Sequence, residues 1–208
     1  MTATSQQPAA SAADERLDKA ERDIERIRSF IVQDKGKAAA LRRAAGDSLG
    51  EARNVRWFFA LTGETSSERK SDDPRYEEIL FLVATLFAHD KSAIEKKHRF
   101  RGDLGTTLAH VRGKGGRVSG DNQDPVERRL RVLLDSDLDP YGGGELAYRL
   151  RQIVRYVFSQ GGAIDWPQLL VDLRQWDWMG KPVQKRWARN FYKPRLDDNF
   201  EPVDGSQA

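Results

Sequence analysis

Apolar residues recur at steps of three and four along most of this chain, and no segment alternates apolar with polar residues over the length of a strand. The first such pattern is carried by Leu17, Ala20, Ile24, Ile27 and Ile31, with charged residues between them. Further helices are predicted at 75–89, 125–134, 145–159, 166–178 and 181–192. The sequence therefore predicts an all-α protein.

Polar and glycine-rich stretches predict how the helices are grouped. Residues 113–124 contain four glycines and no apolar periodicity, which predicts a flexible, basic loop. This loop is expected to join two small helical bundles, an N-terminal one at 14–112 and a C-terminal one at 125–195. Residues 1–13 lack large apolar groups and 196–208 are acidic, so we expect a disordered leader and a disordered tail.

Several classes of protein are excluded by what the sequence lacks. No apolar run approaches the roughly 18 to 20 residues that a membrane-spanning helix needs, and the N-terminus has neither the basic start nor the apolar stretch of a secretory signal. We therefore expect a cytoplasmic protein without a membrane partner. The chain has no cysteine, which excludes disulfides and thiolate metal sites.

No motif indicates catalysis, a metal or a cofactor. The histidines His89, His98 and His110 lie nine and twelve residues apart, which is not a metal-ligand spacing. The acidic run DSDLD at 135–139 lacks the glycine and the distal glutamate of a calcium-binding loop and is interpreted as a solvated helix end. We expect a non-enzymatic protein with no metal and no cofactor.

Clustered basic residues are the remaining functional signal. The net charge is only +3, but KKHRFR at 96–101, ERRLR at 127–131 and the acid-free stretch 181–195 concentrate positive charge. Such clusters suit a phosphate backbone. The same clusters are explained equally well as the charged, solvent-facing sides of helices in an ordinary bundle. A structural adaptor that docks on acidic protein partners is therefore the alternative function.

Aromatic residues lie beside these clusters and have two possible roles. Phe100, Trp187, Phe191 and Tyr192 could stack on unpaired bases, as in single-strand binders. Trp187 and Phe191 are four residues apart and so share one helical face. We expect these two side chains to pack into the core.

Several segments, in this order and spacing, resemble the CasB family, the small subunit of the type I-E CRISPR Cascade complex. They are ALRR at 40–43, DPRYEEILFLVATLFA at 73–88, LGTTLA at 104–109, ERRLRVLLDSD at 127–137 and IDWPQLLVDLRQW at 164–176. Asp-Trp-Pro at 165–167, leading into a helix with a tryptophan-rich end, is the most distinctive of these motifs. The resemblance covers roughly residues 38 to 192.

The resemblance implies an all-α, non-catalytic subunit of an antiviral, RNA-guided surveillance complex. It implies as partners the other Cascade subunits, a second copy of this chain, the CRISPR guide RNA and the target DNA. The subunit would stabilise the RNA-DNA hybrid and line a basic path for the displaced strand of the R-loop. Since guide pairing selects the sequence, such a protein needs backbone contacts rather than base readout.

The resemblance also implies nucleic-acid-binding residues. The family's basic surface corresponds to Arg42, Arg43, Arg75, Lys96, Lys97, Arg129, Arg151 and Lys181. Clustering alone adds Arg99, Arg101, Lys185, Arg186 and Arg189. The chain departs from the family pattern at DSDLD, where relatives can carry arginine at the positions of Asp135 and Leu138.

Overall fold

The computed structural model describes residues 7–51, 58, 74–96, 100–114, 124–139 and 144–193. The helices in these ranges are α1 (Gln7–Gln33), α2 (Lys35–Arg43), α3 (Pro74–Phe87), α4 (Lys91–Ile94), α5 (Leu104–Lys114), α6 (Pro125–Asp135), α7 (Gly144–Ser159), α8 (Trp166–Arg174) and α9 (Pro182–Tyr192). No strand occurs among them, so the prediction of an all-α fold is confirmed. None of these helices combines the length and apolar character needed to cross a bilayer.

Helix α1 begins earlier than the sequence pattern indicates. It starts at Gln7, within the range 1–13 that was predicted to be a disordered leader. Residues 9–13 read Ala-Ala-Ser-Ala-Ala, and alanine has the highest helix propensity, so this segment extends a helix without burying large apolar groups. Residues 1–6, most of the predicted loop (115–123) and the tail 196–208 lie outside the described residues.

The start of α8 is fixed by its N-cap residue, Asp165. The Asp165 carboxylate accepts hydrogen bonds from the backbone N–H of Gln168, at 3.1 Å, and from that of Gly102, also at 3.1 Å. The first bond satisfies a free N–H of the helix start, and the second ties α8 to the segment before α5. The helix ends at Arg174, four residues before the predicted end at Trp178, because the chain continues there in i to i+3 turns.

Buried side chains form one core that includes both halves of the chain. Every residue from Ile79 to Ala88 is buried, so α3 lies at the centre of the core. Helix α8 packs against α1 and α3, α5 packs along α9, and α6 packs against α7. Three of these four helix pairs cross the boundary predicted at 113–124, and the buried apolar residues belong to a single cluster. A division into two bundles is therefore not confirmed.

Helices α5 and α9 touch through their backbones. A Cβ atom on Gly105 would lie 2.1 Å from the carbonyl oxygen of Trp187, so only glycine fits at this crossing. Trp187 and Phe191 are buried at the same contact, which confirms the prediction that they pack inward. The close approach fixes where α9 sits on the rest of the molecule.

A buried carboxylate fixes the rotation of α9 about its own axis. Asp172 on α8 has no solvent exposure. It accepts hydrogen bonds from the Trp187 indole and the Gln168 amide, both at 2.6 Å, and pairs with the Arg186 guanidinium. A buried carboxylate is stable only when its oxygens are satisfied in this way. The side of α9 that carries Arg186 and Trp187 is therefore held toward α8.

Candidate nucleic-acid interface

The exposed surface of α9 carries a row of cations. Lys181, Lys185, Arg189 and Lys193 are spaced four residues apart, and all four are exposed; we call this row the α9 stripe. Four residues of helix rise about 6 Å, so the row is about 18 Å long. Within the described part of the chain, none of the four forms an ion pair with a carboxylate. The row can therefore contact several phosphates of one strand without first breaking an ion pair.

Arg186 lies between these cations in the sequence but not in space. Its guanidinium pairs with Asp172 and also lies 3.4 Å from the Asp103 carboxylate. Both of these carboxylates are buried, so Arg186 neutralises charge inside the protein. A contact between Arg186 and nucleic acid remains a prediction, and the geometry does not favour it.

Two other predicted contacts, Lys96 and Arg101, are paired with helix α1. The Lys96 ammonium lies 3.3 Å from the Glu25 carboxylate, and the Arg101 guanidinium lies 2.8 Å from Glu21. The pKa of Glu25 is lowered to about 2, first by its hydrogen bond with Arg28 and then by Lys96. Exposed ion pairs of this kind contribute little free energy, so a phosphate can compete for these cations. Their neighbours Lys97 and Arg99 lie outside the described residues.

A second basic surface joins the ends of α2 and α3 to α7. The Arg42 guanidinium donates a hydrogen bond to the carbonyl of Ala88, at 2.7 Å. Burial, together with the charges of Arg155, Arg42 and Arg151, lowers the pKa of His89. We call the half-buried imidazole and the three guanidinium groups whose charges act on it the His89 cluster. Arg43, at the end of α2, is exposed.

Arg151 is held in the His89 cluster by close packing. A Cβ on Gly46, whose φ is +116°, would lie 2.6 Å from Nη1 of Arg151. Burial is also the first cause of the lowered pKa of this guanidinium, followed by the charge of Arg155. Its position is thus set by the fold rather than by solvent.

The remaining predicted contacts, Arg129 and Arg75, belong to neither the α9 stripe nor the His89 cluster. Arg129 on α6 is exposed and sits over the ring of Tyr156, with 4.8 Å from its guanidinium carbon to the ring centroid. Arg75, at the start of α3, pairs with Asp177. The predicted residues therefore occupy several faces of the molecule rather than a single patch.

Sequence reasoning missed two cations that complete these surfaces. Lys193 extends the α9 stripe by one helical turn, and four-residue spacing from Arg189 was the signal for it. Arg155 belongs to the His89 cluster and follows Arg151 by the same spacing. Arg155 lies outside the basic runs, and Lys193 lies inside the acid-free stretch 181–195 but was not among the residues selected from it.

Candidate ligands for a metal are dispersed. Among the residues that the structure describes, no three His, Asp or Glu side chains are grouped as a metal ion would require. The acidic run 135–139 begins at Asp135, the last residue of α6, with Ser136 and Leu138 buried and Asp137 exposed. The carboxylates of this run therefore do not meet at one point, as the ligands of a metal ion would.

Comparison with known sequences identifies a family. The model of the family described as CRISPR-associated protein Cse2 matches residues 37–192. The curated CRISPR-associated protein Cse2 of Thermus thermophilus is 36% identical over 115 residues. That alignment covers 55% of this chain and 56% of the relative, so the chain matches little more than half of the relative's length.

Solved structures share the same fold. One chain of a CRISPR RNA-guided surveillance complex is 25% identical, with a TM-score of 0.62, covering 85% of this chain and 92% of its own length. The crystal structure of CasB from Thermus thermophilus is 27% identical, with a TM-score of 0.60, covering 84% of this chain and 98% of CasB. The similarity therefore extends over nearly the whole length of both solved chains.

Proposed function

Because the chain belongs to the CRISPR-associated Cse2 family, we propose that it is a non-catalytic nucleic-acid-binding subunit of a CRISPR RNA-guided surveillance complex. In this role it stabilises the RNA-DNA hybrid and the displaced DNA strand by contacts between basic side chains and the sugar-phosphate backbone. Its partners are the other subunits of the complex, a second copy of itself, the guide RNA and the target DNA. The structural match to a chain of such a complex supports this assignment.

The observation that carries the proposal is the α9 stripe. Its exposed cations have no carboxylate partner among the described residues, and the network around Asp172 orients them toward solvent. Lysine and arginine on a rigid helix contact phosphates at little cost in conformational entropy beyond that of their own side chains. A row of this length follows one strand rather than enclosing a duplex.

Backbone contacts suit a complex in which base pairing selects the target. A protein that read base edges would need amide or guanidinium groups placed in a groove. A protein that holds strands apart needs positive charge without sequence preference. Long lysine and arginine side chains along one helix face meet the second requirement.

The proposal is tested by reconstituting the guide-loaded complex with the wild-type protein and with the double variant Lys185→Glu/Arg189→Glu. The variant should enter the complex but bind target duplex more weakly, with greater chemical reactivity of the displaced strand. For the free subunit and single-stranded DNA, the slope of log affinity against log salt should fall by about 1 to 2, since each lost phosphate contact removes about 0.7.

A matched double charge reversal, Lys35→Glu/Lys91→Glu, serves as the control. Both lysines are exposed and neither lies on a proposed contact surface, so strand protection should match that of the wild type. One possible outcome is that the double α9 variant fails to enter the complex although, as a free protein, it binds single-stranded DNA as tightly as the wild type. In that case the stripe docks on an acidic protein partner instead. Equal strand reactivity for the α9 variant and the wild type would also overturn the proposal.

A further inference from the structure

We propose that a cavity between α1, α3 and the turn after α8 binds one nucleotide of a single strand, with the base stacked on Trp178 and the phosphate held by Arg16 and Arg174. This inference rests on the proposed function and names a specific subsite for it. The cavity has a volume of about 170 Å³. Since a water molecule occupies about 30 Å³ in the liquid, this space accommodates a phosphate group with its first waters.

The walls of this cavity are strongly basic. Three guanidinium groups line it, from Arg16 on α1, Arg75 on α3 and Arg174 on α8, together with the apolar side chains of Ile79 and Val171. Arg75 pairs with Asp177. Within the described residues, neither Arg16 nor Arg174 forms an ion pair with a carboxylate. An anion in the cavity would therefore relieve the repulsion between these like charges.

The two guanidinium groups are held in position by aromatic rings and the backbone. Arg16 Nε donates to the carbonyl of Ala12 at 2.7 Å, and its guanidinium carbon lies 5.4 Å from the centroid of the Trp178 ring. Arg174 lies 4.5 Å from the centroid of the Tyr76 ring. The Tyr76 hydroxyl in turn donates to Asp23. A planar guanidinium fixed in this way presents paired donors that match phosphate oxygens.

Trp178 is exposed, whereas tryptophan side chains are usually buried. Trp166, Trp176 and Trp187 are almost completely buried, whereas Trp178 is 49% exposed and the following Met179 is fully exposed. An indole at the rim of a basic cavity is the arrangement by which single-strand binders hold bases, since every base offers a π-face. The stacked Arg16 keeps the ring in a defined orientation.

The cavity lies directly before the α9 stripe. Lys181 begins the stripe three residues after Trp178, and its backbone N–H donates to the Trp178 carbonyl at 3.0 Å. A strand that places one base on Trp178 can continue with its phosphates along Lys181, Lys185 and Arg189. The exposed indole next to a row of cations favours a nucleic acid, which has both bases and phosphates. An acidic peptide would use the cations but has no need of the indole.

The test compares two single strands that differ only in their bases. An oligothymidylate of about 12 nucleotides, within the usual site sizes of single-strand binders, is measured against an abasic strand of equal length, using fluorescence anisotropy and the full-length protein at low salt. The wild type should prefer the strand with bases by about fivefold or more, because stacking of one base contributes about 1 kcal/mol or more. Trp178→Ala should abolish this preference, and Trp178→Phe should retain part of it.

Tyr148→Ala is the matched control. Tyr148 is also about half exposed and lies beside an arginine, with Arg149 at 5.5 Å from its ring centroid, but it does not line the cavity. This variant should keep the wild-type preference. Arg174→Gln should weaken binding of both strands alike, since it removes a phosphate contact rather than a stacked base.

The possible outcomes separate this inference from the proposed function. If Lys185→Glu/Arg189→Glu weakens binding but Trp178→Ala leaves the preference unchanged, the nucleotide subsite is wrong and the proposed function stands. The same conclusion follows if the wild type shows no preference, or if an acidic peptide competes at the cavity without displacing DNA. Absence of binding to either strand would also overturn the nucleotide subsite, whereas the proposed function is tested separately by protection of the displaced strand in the reconstituted complex.

Discussion

The direction of a side chain, rather than its type, decides its role in this molecule. Lys185 and Arg186 are adjacent in the sequence, and both were predicted to contact nucleic acid. The structure leaves Lys185 exposed and places Arg186 against the buried carboxylates of Asp172 and Asp103. Clustering along the sequence finds such basic residues but cannot separate these two, because the separation depends on where α8 and α5 lie in space.

Removing Arg186 should therefore affect stability more than removing Lys185. Arg186→Met leaves the carboxylate of Asp172 buried without its cation, and we expect the free energy of unfolding to fall by about 1–3 kcal/mol, a range reduced for the partial exposure of the guanidinium. Lys185→Met should change it by less than about 0.5 kcal/mol. Urea denaturation measures both values. Equal stability of the two variants would contradict the described pairing.

His89 makes the stability of the fold depend on pH. Burial, with the charges of Arg155, Arg42 and Arg151, lowers the pKa of its imidazole in the folded state below the usual 6.5. As pH falls through the unfolded value, the unfolded state binds a proton before the folded state does, so stability is lost. Above that pH the imidazole is neutral in both states and contributes no pH dependence.

The variant His89→Gln should remove this part of the acid sensitivity. We expect the wild type to lose more thermal stability than the variant between about pH 7 and pH 5, the region around an ordinary histidine pKa. The melting temperature measured across this range, relative to each protein's own value at about pH 7.5, gives the comparison. Parallel profiles would show that His89 titrates normally.

At the scale of elements, the helices themselves were well predicted. Apolar spacing identified α1, α3, α6, α7, α8 and α9. Helix boundaries were less accurate, because they depend on local hydrogen bonds such as the turns after Arg174. The alanine-rich start of α1 was missed, because alanine favours a helix without producing a repeat of large apolar residues.

The Asp165 carboxylate caps α8 and also binds the segment before α5, and both contacts contribute to the free energy of unfolding. Asp165→Ala removes the bond to the N–H of Gln168 and the bond to Gly102, so we expect a loss of about 1–2 kcal/mol in the free energy of unfolding. Asp34→Ala, which removes one exposed cap bond to Gly36 at the start of α2, is the comparison and should cost less. A smaller loss for Asp165→Ala than for Asp34→Ala would argue against the second bond.

At the scale of the whole molecule, sequence reasoning found the elements but not their arrangement. The loop at 113–124 was predicted to separate two bundles, yet α8 packs on α1 and α3, and α5 packs on α9. Amphipathic spacing shows which face of a helix is buried but not which helix covers it. The cavity of Arg16, Arg75 and Arg174 was missed for the same reason, since its walls come from three distant segments.

The crossing of α5 and α9 links the stability of the molecule to its proposed binding surface. A Cβ at position 105 would lie 2.1 Å from the Trp187 carbonyl oxygen, a backbone atom that cannot move aside alone. Gly105→Ala must therefore shift α9 as a unit. We expect a loss of about 2–3 kcal/mol in the free energy of unfolding, as for an overpacked core.

The same variant should also weaken single-stranded DNA binding under conditions where it is still folded, because the α9 stripe moves relative to Trp178. Gly50→Ala is the control: its Cβ would lie 3.4 Å from the Ser48 hydroxyl, an ordinary contact. Chemical denaturation and fluorescence anisotropy on the same preparations measure both effects. If Gly105→Ala lost stability but bound DNA with unchanged affinity, the position of α9 relative to α5 would not matter for binding, and the stripe would act independently of the cavity that precedes it.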